Sequence, residues 1–321
     1  MSLTSLLTKN EEIKKLFSEV PNMKALFKSP DNESPFPSKP SIIVPRLTSV
    51  APVIGNAYDY WLRAYAQRIN GISQEHDGDS LVASISVNYL SEQIPGIVER
   101  YHQIIERRIK YIDGTEELNT SLLEDCIFLG YLDQYYRSGY MTDNNTISIQ
   151  SSDVEELHLL TQASLKNSHL FKMKQDLNCN PTFGSAISQL VNGADGDLIL
   201  DGTLIEIKTE STFAWKVGHL RQLIGYWVLS CLTPDFEDPI KALAIWNPRY
   251  CRMVTISVED ICQTIDMVKF VDDFIKILSR IDSSNPDKRK FEMRSKWILE
   301  VEKVWKAKEN PIRQYYAPES K

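Results

Sequence analysis

The segment from Asp197 to Lys208, Asp-Leu-Ile-Leu-Asp-Gly-Thr-Leu-Ile-Glu-Ile-Lys, admits few backbone paths. Asp201-Gly202 is a dipeptide favoured in a two-residue type I′ turn, because both central positions need φ > 0. With that loop, Leu200 faces Thr203, Ile199 faces Leu204 and Asp197 faces Glu206. Opposed residues share a face of the sheet, as do residues two apart on one strand. Asp197, Glu206 and Lys208 therefore converge on one face, while Leu198, Ile205 and Ile207 point to the other, into a core. Two carboxylates on neighbouring strands can hold a hard divalent cation. An ammonium beside them can meet a phosphate or a bound water. A solvated, charged hairpin end produces the same pattern without any function.

This arrangement, Asp followed by Glu-x-Lys after a short hairpin, resembles the PD-(D/E)xK nuclease superfamily, the restriction-endonuclease-like fold. Gly196 stands where that pattern usually has Pro. Two further stretches extend the likeness. Gln222 and Tyr226, spaced i, i+4, share one helix face directly after the Glu206-Ile207-Lys208 strand. A Gln-x3-Tyr helix at that point resembles the RecB-like branch. Upstream, Ile54-Gly55-Asn56-Ala57-Tyr58-Asp59 resembles the first helix of the same branch, with Asp59 where the branch usually carries His. Asn180-Pro181-Thr182-Phe183 followed by Gly193-Ala194-Asp195-Gly196-Asp197 is similar to uncharacterised bacterial members. The resemblance covers roughly residues 50–70 and 178–250.

The resemblance implies an α/β fold: a restriction-endonuclease-like core with a central mixed sheet flanked by helices, plus a large helical insertion and an N-terminal helical arm. Residues 1–28 read as two short helices, and four prolines between Pro30 and Pro40 read as an extended linker, so residues 1–40 form the arm. It can pack on the core or on a partner. Residues 41–321 are the expected nuclease domain, with the insertion at about 85–175, the catalytic core at about 178–250 and C-terminal helices over 258–310. Pro52 to Ile69 reads as an aromatic-rich helix. Pro95-Gly96 splits or kinks the helix over 85–112, since Pro removes a donor and clashes with the preceding turn. Helices are expected over 117–138, 152–174 and 215–232. Phe183 to Val191 reads as the first strand, with a helical turn as its alternative, and Ile240 to Trp246 as a buried strand. Tyrosines in the insertion serve helix packing or base stacking.

The net charge of −7 argues against a globally basic nucleic-acid coat, though an acidic metal site with a local basic strip stays compatible with it. No apolar run approaches the roughly 20 residues that span a bilayer, so no membrane association is expected. The opening Met-Ser-Leu-Thr-Ser-Leu-Leu lacks a charged and then apolar leader, which makes a cytoplasmic location the expectation. The five cysteines have no Cys-x2-Cys spacing and read as buried thiols, so no iron–sulfur cluster is expected.

By resemblance, the catalytic residues are Asp197, Glu206 and Lys208. Asp197, Glu206 and the carbonyl of Ile207 are the ligands of Mg²⁺ or Mn²⁺. Gln222 and Tyr226 contact the substrate or support Lys208, and Lys216, His219 and Arg221 are candidate phosphate contacts. Asp59 belongs either to an Asp59–Arg63 pair or to the metal site, and Asp195 is either a turn residue or a neighbour of Asp197. The expected activity is divalent-metal-dependent hydrolysis of phosphodiester bonds, DNA ahead of RNA, in phage defence, restriction or recombination. A partner protein or a second copy of the chain is compatible with this reading. The alternatives are an inactive nuclease-fold module that binds nucleic acid or serves as a subunit, and a helical interaction protein with an accidental hairpin.

Overall fold

The computed structural model describes residues 3–30, 33–72, 81–139, 147–234, 236–237, 239–281 and 288–316. In chain order the helices are α1 (Leu3–Lys9), α2 (Glu11–Ser18), α3 (Ala51–Ile69), α4 (Val82–Leu90), α5 (Ile97–Ile112), α6 (Thr120–Ser138), α7 (Ser151–Lys166), α8 (Ser185–Val191), α9 (Val217–Cys231), α10 (Val258–Thr264), α11 (Met267–Arg280), α12 (Lys288–Lys306) and α13 (Pro311–Tyr315). The strands are β1 (Leu177–Cys179), β2 (Leu198–Leu200), β3 (Thr203–Ile207), β4 (Ala242–Asn247) and β5 (Arg252–Ser257). They form one open mixed sheet in the order β1-β2-β3-β4-β5, antiparallel except for the parallel β3–β4 pair. That pair is parallel because α9 carries the chain back along the sheet, as a crossover must.

The hairpin has the expected register: Leu198 pairs with Ile205, Ile199 with Leu204 and Leu200 with Thr203. Asp201 and Gly202 have φ of 49° and 75°, both in the left-handed region that the turn demands. The Asp201 carboxylate also accepts backbone N–H bonds from Lys174, Gln175 and Asp176, at 3.0, 2.8 and 3.2 Å. These bonds tie the turn to the segment entering β1.

Strand alternation divides the interior into two cores. Ile199, Leu204, Leu243, Ile245, Val254 and Ile256 pack with α8, α9, α11 and the N-terminal arm. Leu198, Leu200, Ile205, Ala244, Trp246 and Met253 pack on the other face with α3 and the helices that follow it. The arm packs on the core. Leu3 and Leu6 are buried, Phe17 meets Phe270 and Phe274 edge-on at 5.0 and 5.9 Å, and Lys28 bridges to Thr255 beside β5. Phe36, from the proline-rich stretch, is buried against Phe27, Phe213 and Trp215.

One expected strand is corrected. Residues 185–191 are helix α8, with Ala186, Ile187, Leu190 and Val191 buried on one side and Asn192 at φ 57° ending it. The burial repeats at helical rather than alternate spacing, so the helical alternative holds and the first strand is the shorter β1. At Pro95-Gly96 the helix divides, and α5 starts after Gly96 at φ 76°. Helices α3 and α6 cross closely: a Cβ on Gly130 would lie 2.5 Å from the Val53 carbonyl oxygen. Among the described residues, no helix is long and apolar enough to cross a membrane.

Candidate functional site

At the C-terminal end of β3, side chains from both layers meet. Alternation places Glu206 and Lys208 on the α9 side, in line with Leu204. Gly196 leads into Asp197 through a tight gap between Pro181 and Leu204. A Cβ there would stand 3.0 Å from Pro181 and 3.1 Å from Leu204. The segment from Asn180 to Thr182 runs antiparallel beside it, through Asn180 N to Asp197 O at 3.1 Å and Gly196 N to Pro181 O at 3.0 Å. On the far side, a Cβ on Gly55 would lie 2.9 Å from the Thr209 hydroxyl, so α3 reaches the strand end because residue 55 lacks a side chain. Trp246 Nε1 donates to Tyr58 OH at 2.8 Å and fixes α3 to β4.

The five predicted side chains come together. Asp197 Oδ2 accepts from the Ile207 amide at 2.6 Å. Lys208 Nζ donates to Glu206 Oε1 at 2.7 Å and to Gln222 Oε1 at 3.2 Å. Gln222 Nε2 donates to Glu206 Oε1 at 2.9 Å and to Tyr226 OH at 3.1 Å. The Tyr226 ring stacks on Phe183, with centroids 5.5 Å apart. The second Glu206 oxygen is buried and has no hydrogen-bond partner. Such an acceptor is costly unless something positive or protonated meets it.

Asp59 belongs to the same electrostatic cluster. It is ion-paired with Arg63 one turn along α3, and its other oxygen is buried without a partner. The Asp59–Arg63 pair of the first sequence reading is therefore present. Burial raises its pKa to about 7 against the opposing charge of Arg63, with Asp197 adding to the rise. Burial also raises Glu206 to about 7, again assisted by Asp197. Asp197 is raised by burial against the pull of Lys208 and the Ile207 amide. Burial disfavours the Lys208 ammonium, yet Glu206 and Asp197 outweigh it and hold the group protonated. Asp195 bridges to Thr182, is solvent-exposed and feels the same charges.

The sequence reading did not include the α6 residues at this site. Asp133 accepts from Asn56 Nδ2 at 3.1 Å, from Tyr60 OH at 3.2 Å and from the guanidinium of Arg137. Their i, i+4 spacing marks an ordinary helix pair, and only the α3–α6 crossing brings it beside Asp59. The candidate phosphate contacts are otherwise engaged. Glu210 holds Lys216 at 2.6 Å and His219 at 3.2 Å, and these partners bring its pKa down to about 2. Arg221 donates to the Ser18 carbonyl at 3.3 Å.

Behind the site, Arg249 and Glu156 form a fully buried ion pair. Arg249 Nε donates to the Thr209 carbonyl at 2.6 Å, and Glu156 accepts from the backbone of Leu47 and Thr48. This network fixes the residue after Lys208 and the approach to α3.

Among the described residues, no group of three or more His, Cys, Asp or Glu side chains is arranged around a common metal position. The donor chemistry at Asp197 and Glu206 nonetheless suits a hard cation that keeps most of its waters. When all are ionised, five carboxylates (Asp59, Asp133, Asp195, Asp197, Glu206) face three cations (Arg63, Arg137, Lys208), leaving two negative charges in the cluster. Protons or a cation would offset those two charges, and the unpartnered Glu206 oxygen is an acceptor for either. In comparison with known proteins, no family model, no curated protein and no solved structure matches this chain.

Proposed function

We propose that this protein is a divalent-metal-dependent nuclease of the restriction-endonuclease-like type, hydrolysing phosphodiester bonds of DNA. The observation that carries the reading is the connected chain Lys208–Glu206–Gln222–Tyr226 beside Asp197, with one buried Glu206 oxygen left over. The order helix, hairpin, crossover helix and parallel strand supports the resemblance to the RecB-like branch.

In this reading, Asp197 and Glu206 hold Mg²⁺ or Mn²⁺, with the Ile207 carbonyl as the further ligand the resemblance implies. A bound ion of this kind supplies Lewis acidity to the phosphate and makes water a better nucleophile at neutral pH. Lys208 stays protonated and offsets negative charge that develops on the phosphate in the transition state. Gln222 accepts from Lys208 and donates to Glu206, so it fixes the two at one mutual position. Tyr226, held on Phe183, limits the rotation of Gln222. Burial keeps the local dielectric low and strengthens each of these charge effects.

A second reading, a nuclease-fold subunit without turnover, is favoured by the Glu206–Lys208 pair closing on itself at 2.7 Å. One assay separates the two. The purified chain is incubated with linear DNA, circular DNA and RNA, with Mg²⁺ or Mn²⁺, beside E206Q. Cleavage by the wild type alone supports the nuclease. Binding without cleavage under every condition supports the subunit.

A further inference from the structure

A phosphodiester approaching five carboxylates needs positive surface within reach of solvent. Among the described residues, three cations stand at the cluster. Lys208 is bonded to Glu206 and Gln222, and its side chain is 20% exposed. Arg63 is paired with Asp59 and is 6% exposed. Arg137 differs from both: its side chain is 59% exposed.

Arg137 lies in the last turn of α6, on the helical insertion. Its Nε and Nη2 bond to the two oxygens of Asp133. Asp133 is in turn gripped by Asn56 and Tyr60 of α3, the helix that carries Asp59. One edge of the guanidinium is therefore anchored from two helices. The remaining nitrogen, Nη1, makes no hydrogen bond among the described residues. The charge of Arg137 extends over the site, where it opposes the pKa rise of Asp59, Asp195 and Asp197. A guanidinium suits this place because its planar fork can bind a carboxylate with one edge and a phosphate with another.

We propose that Arg137 is a substrate-phosphate clamp, its outer N–H edge taking a non-bridging oxygen of the nucleic-acid strand at the mouth of the site. The inference rests on the nuclease reading for its ligand but not on turnover. It assigns part of the helical insertion to substrate binding. Lys216 and His219 are instead paired with Glu210.

The test uses the full chain carrying E206Q to suppress turnover, with Mg²⁺ and a fluorescent DNA oligonucleotide. Arg137→Gln, which can still bond to Asp133, is added in that background. Affinity is expected to fall about tenfold, the scale of one charge-assisted hydrogen bond. The slope of log affinity against log salt is expected to shrink by about 0.7–0.9, the mark of one lost phosphate contact. Arg137→Lys keeps most of the slope. Asp133→Asn keeps the cation and should leave the slope intact, which distinguishes a phosphate contact from a structural one. Unchanged affinity and slope in R137Q overturn the clamp, even where the wild type cleaves DNA. Binding whose slope shrinks by that amount in R137Q upholds the clamp, even where the wild type never cleaves and the nuclease reading fails. Absence of binding by wild type and E206Q alike overturns both.

Discussion

Glu206 on β3 and Lys208, just past the end of that strand, share a 2.7 Å ion pair, while the other Glu206 oxygen is buried with no partner. A carboxylate held on one side only and desolvated on the other favours a proton or a cation at its open oxygen. This asymmetry gives the site a testable dependence on both pH and metal.

The pKa of Glu206 is raised in the folded chain to about 7, and that of Asp59 likewise. An acid whose folded pKa exceeds its unfolded value binds more protons when folded. Its contribution is fully present below the unfolded pKa, near 4.5 for Glu206, and is lost as pH rises through 7. The chelated protein should therefore lose melting temperature between pH 5 and pH 7.5, by up to a few kcal/mol in stability. Mg²⁺ or Mn²⁺ should restore most of the loss at the upper end, because a cation favours the ionised carboxylates. E206Q should flatten the decline. Thermal melts in EDTA and in metal, across that range, check the sign. A rise in stability with pH in EDTA would contradict the buried-carboxylate account.

Asp197→Ala and Lys208→Ala should both abolish detectable cleavage, but by different routes. On the proposed reading, loss of Asp197 removes a metal ligand and weakens metal affinity. Loss of Lys208 leaves both carboxylates, so metal still binds while the rate falls by on the order of 10²–10³. Titration calorimetry beside a cleavage assay separates the two. Full activity in either variant removes these residues from the mechanism.

Gln222 touches both members of the Glu206–Lys208 pair and Tyr226 as well. Gln222→Ala should lower kcat by about 10- to 100-fold, comparable to other losses of a supporting hydrogen-bond partner. Metal affinity should change less. Tyr226→Phe keeps the ring on Phe183 and loses only the hydroxyl that Gln222 donates to, so a drop of a few fold is expected. A larger loss in Y226F than in Q222A would mean that Tyr226 acts on its own rather than through Gln222.

The hairpin register, the turn at Asp201-Gly202 and the shared face of Asp197, Glu206 and Lys208 were legible because local rules govern them, whereas the place of Gln222 and Tyr226 beside them came from the family resemblance. Strand alternation, turn chemistry and i, i+4 spacing need no knowledge of distant residues. The helix over 185–191 was ambiguous because a seven-residue segment with four apolar residues is too short for its period to decide, and only burial of Ala186, Ile187, Leu190 and Val191 against α12 and the sheet settles it. β1 was missed because Leu177-Asn178-Cys179 is three residues long and nowhere fully buried. Asp133 and Arg137 carried no signal, because their place at the site depends on the α3–α6 crossing at Gly130, more than 70 residues from Asn56. Arg249 and Glu156 were equally silent, being 93 residues apart.

That last pair yields the clearest stability prediction. Arg249 and Glu156 are both fully buried, and Arg249 also donates to the carbonyls of Thr209, Val44 and Pro45. Arg249→Met would leave Glu156 as an uncompensated buried charge and three carbonyls short of a donor. Removing one partner of such a pair costs about 3–5 kcal/mol. Because Thr209 follows Lys208 and packs on Gly55, the damage should extend to the site. Residual cleavage by R249M is therefore expected to fall even well below its melting temperature. The double variant R249M/E156L removes the stranded charge and should recover much of the stability, since a well-packed apolar pair often matches a buried ion pair. It should not recover activity, because nothing then holds the Thr209 carbonyl. Denaturant melts and cleavage rates on both variants decide this. If the double variant regains full activity, Arg249 contributes to folding alone and the Thr209 contact has no part in placing Lys208.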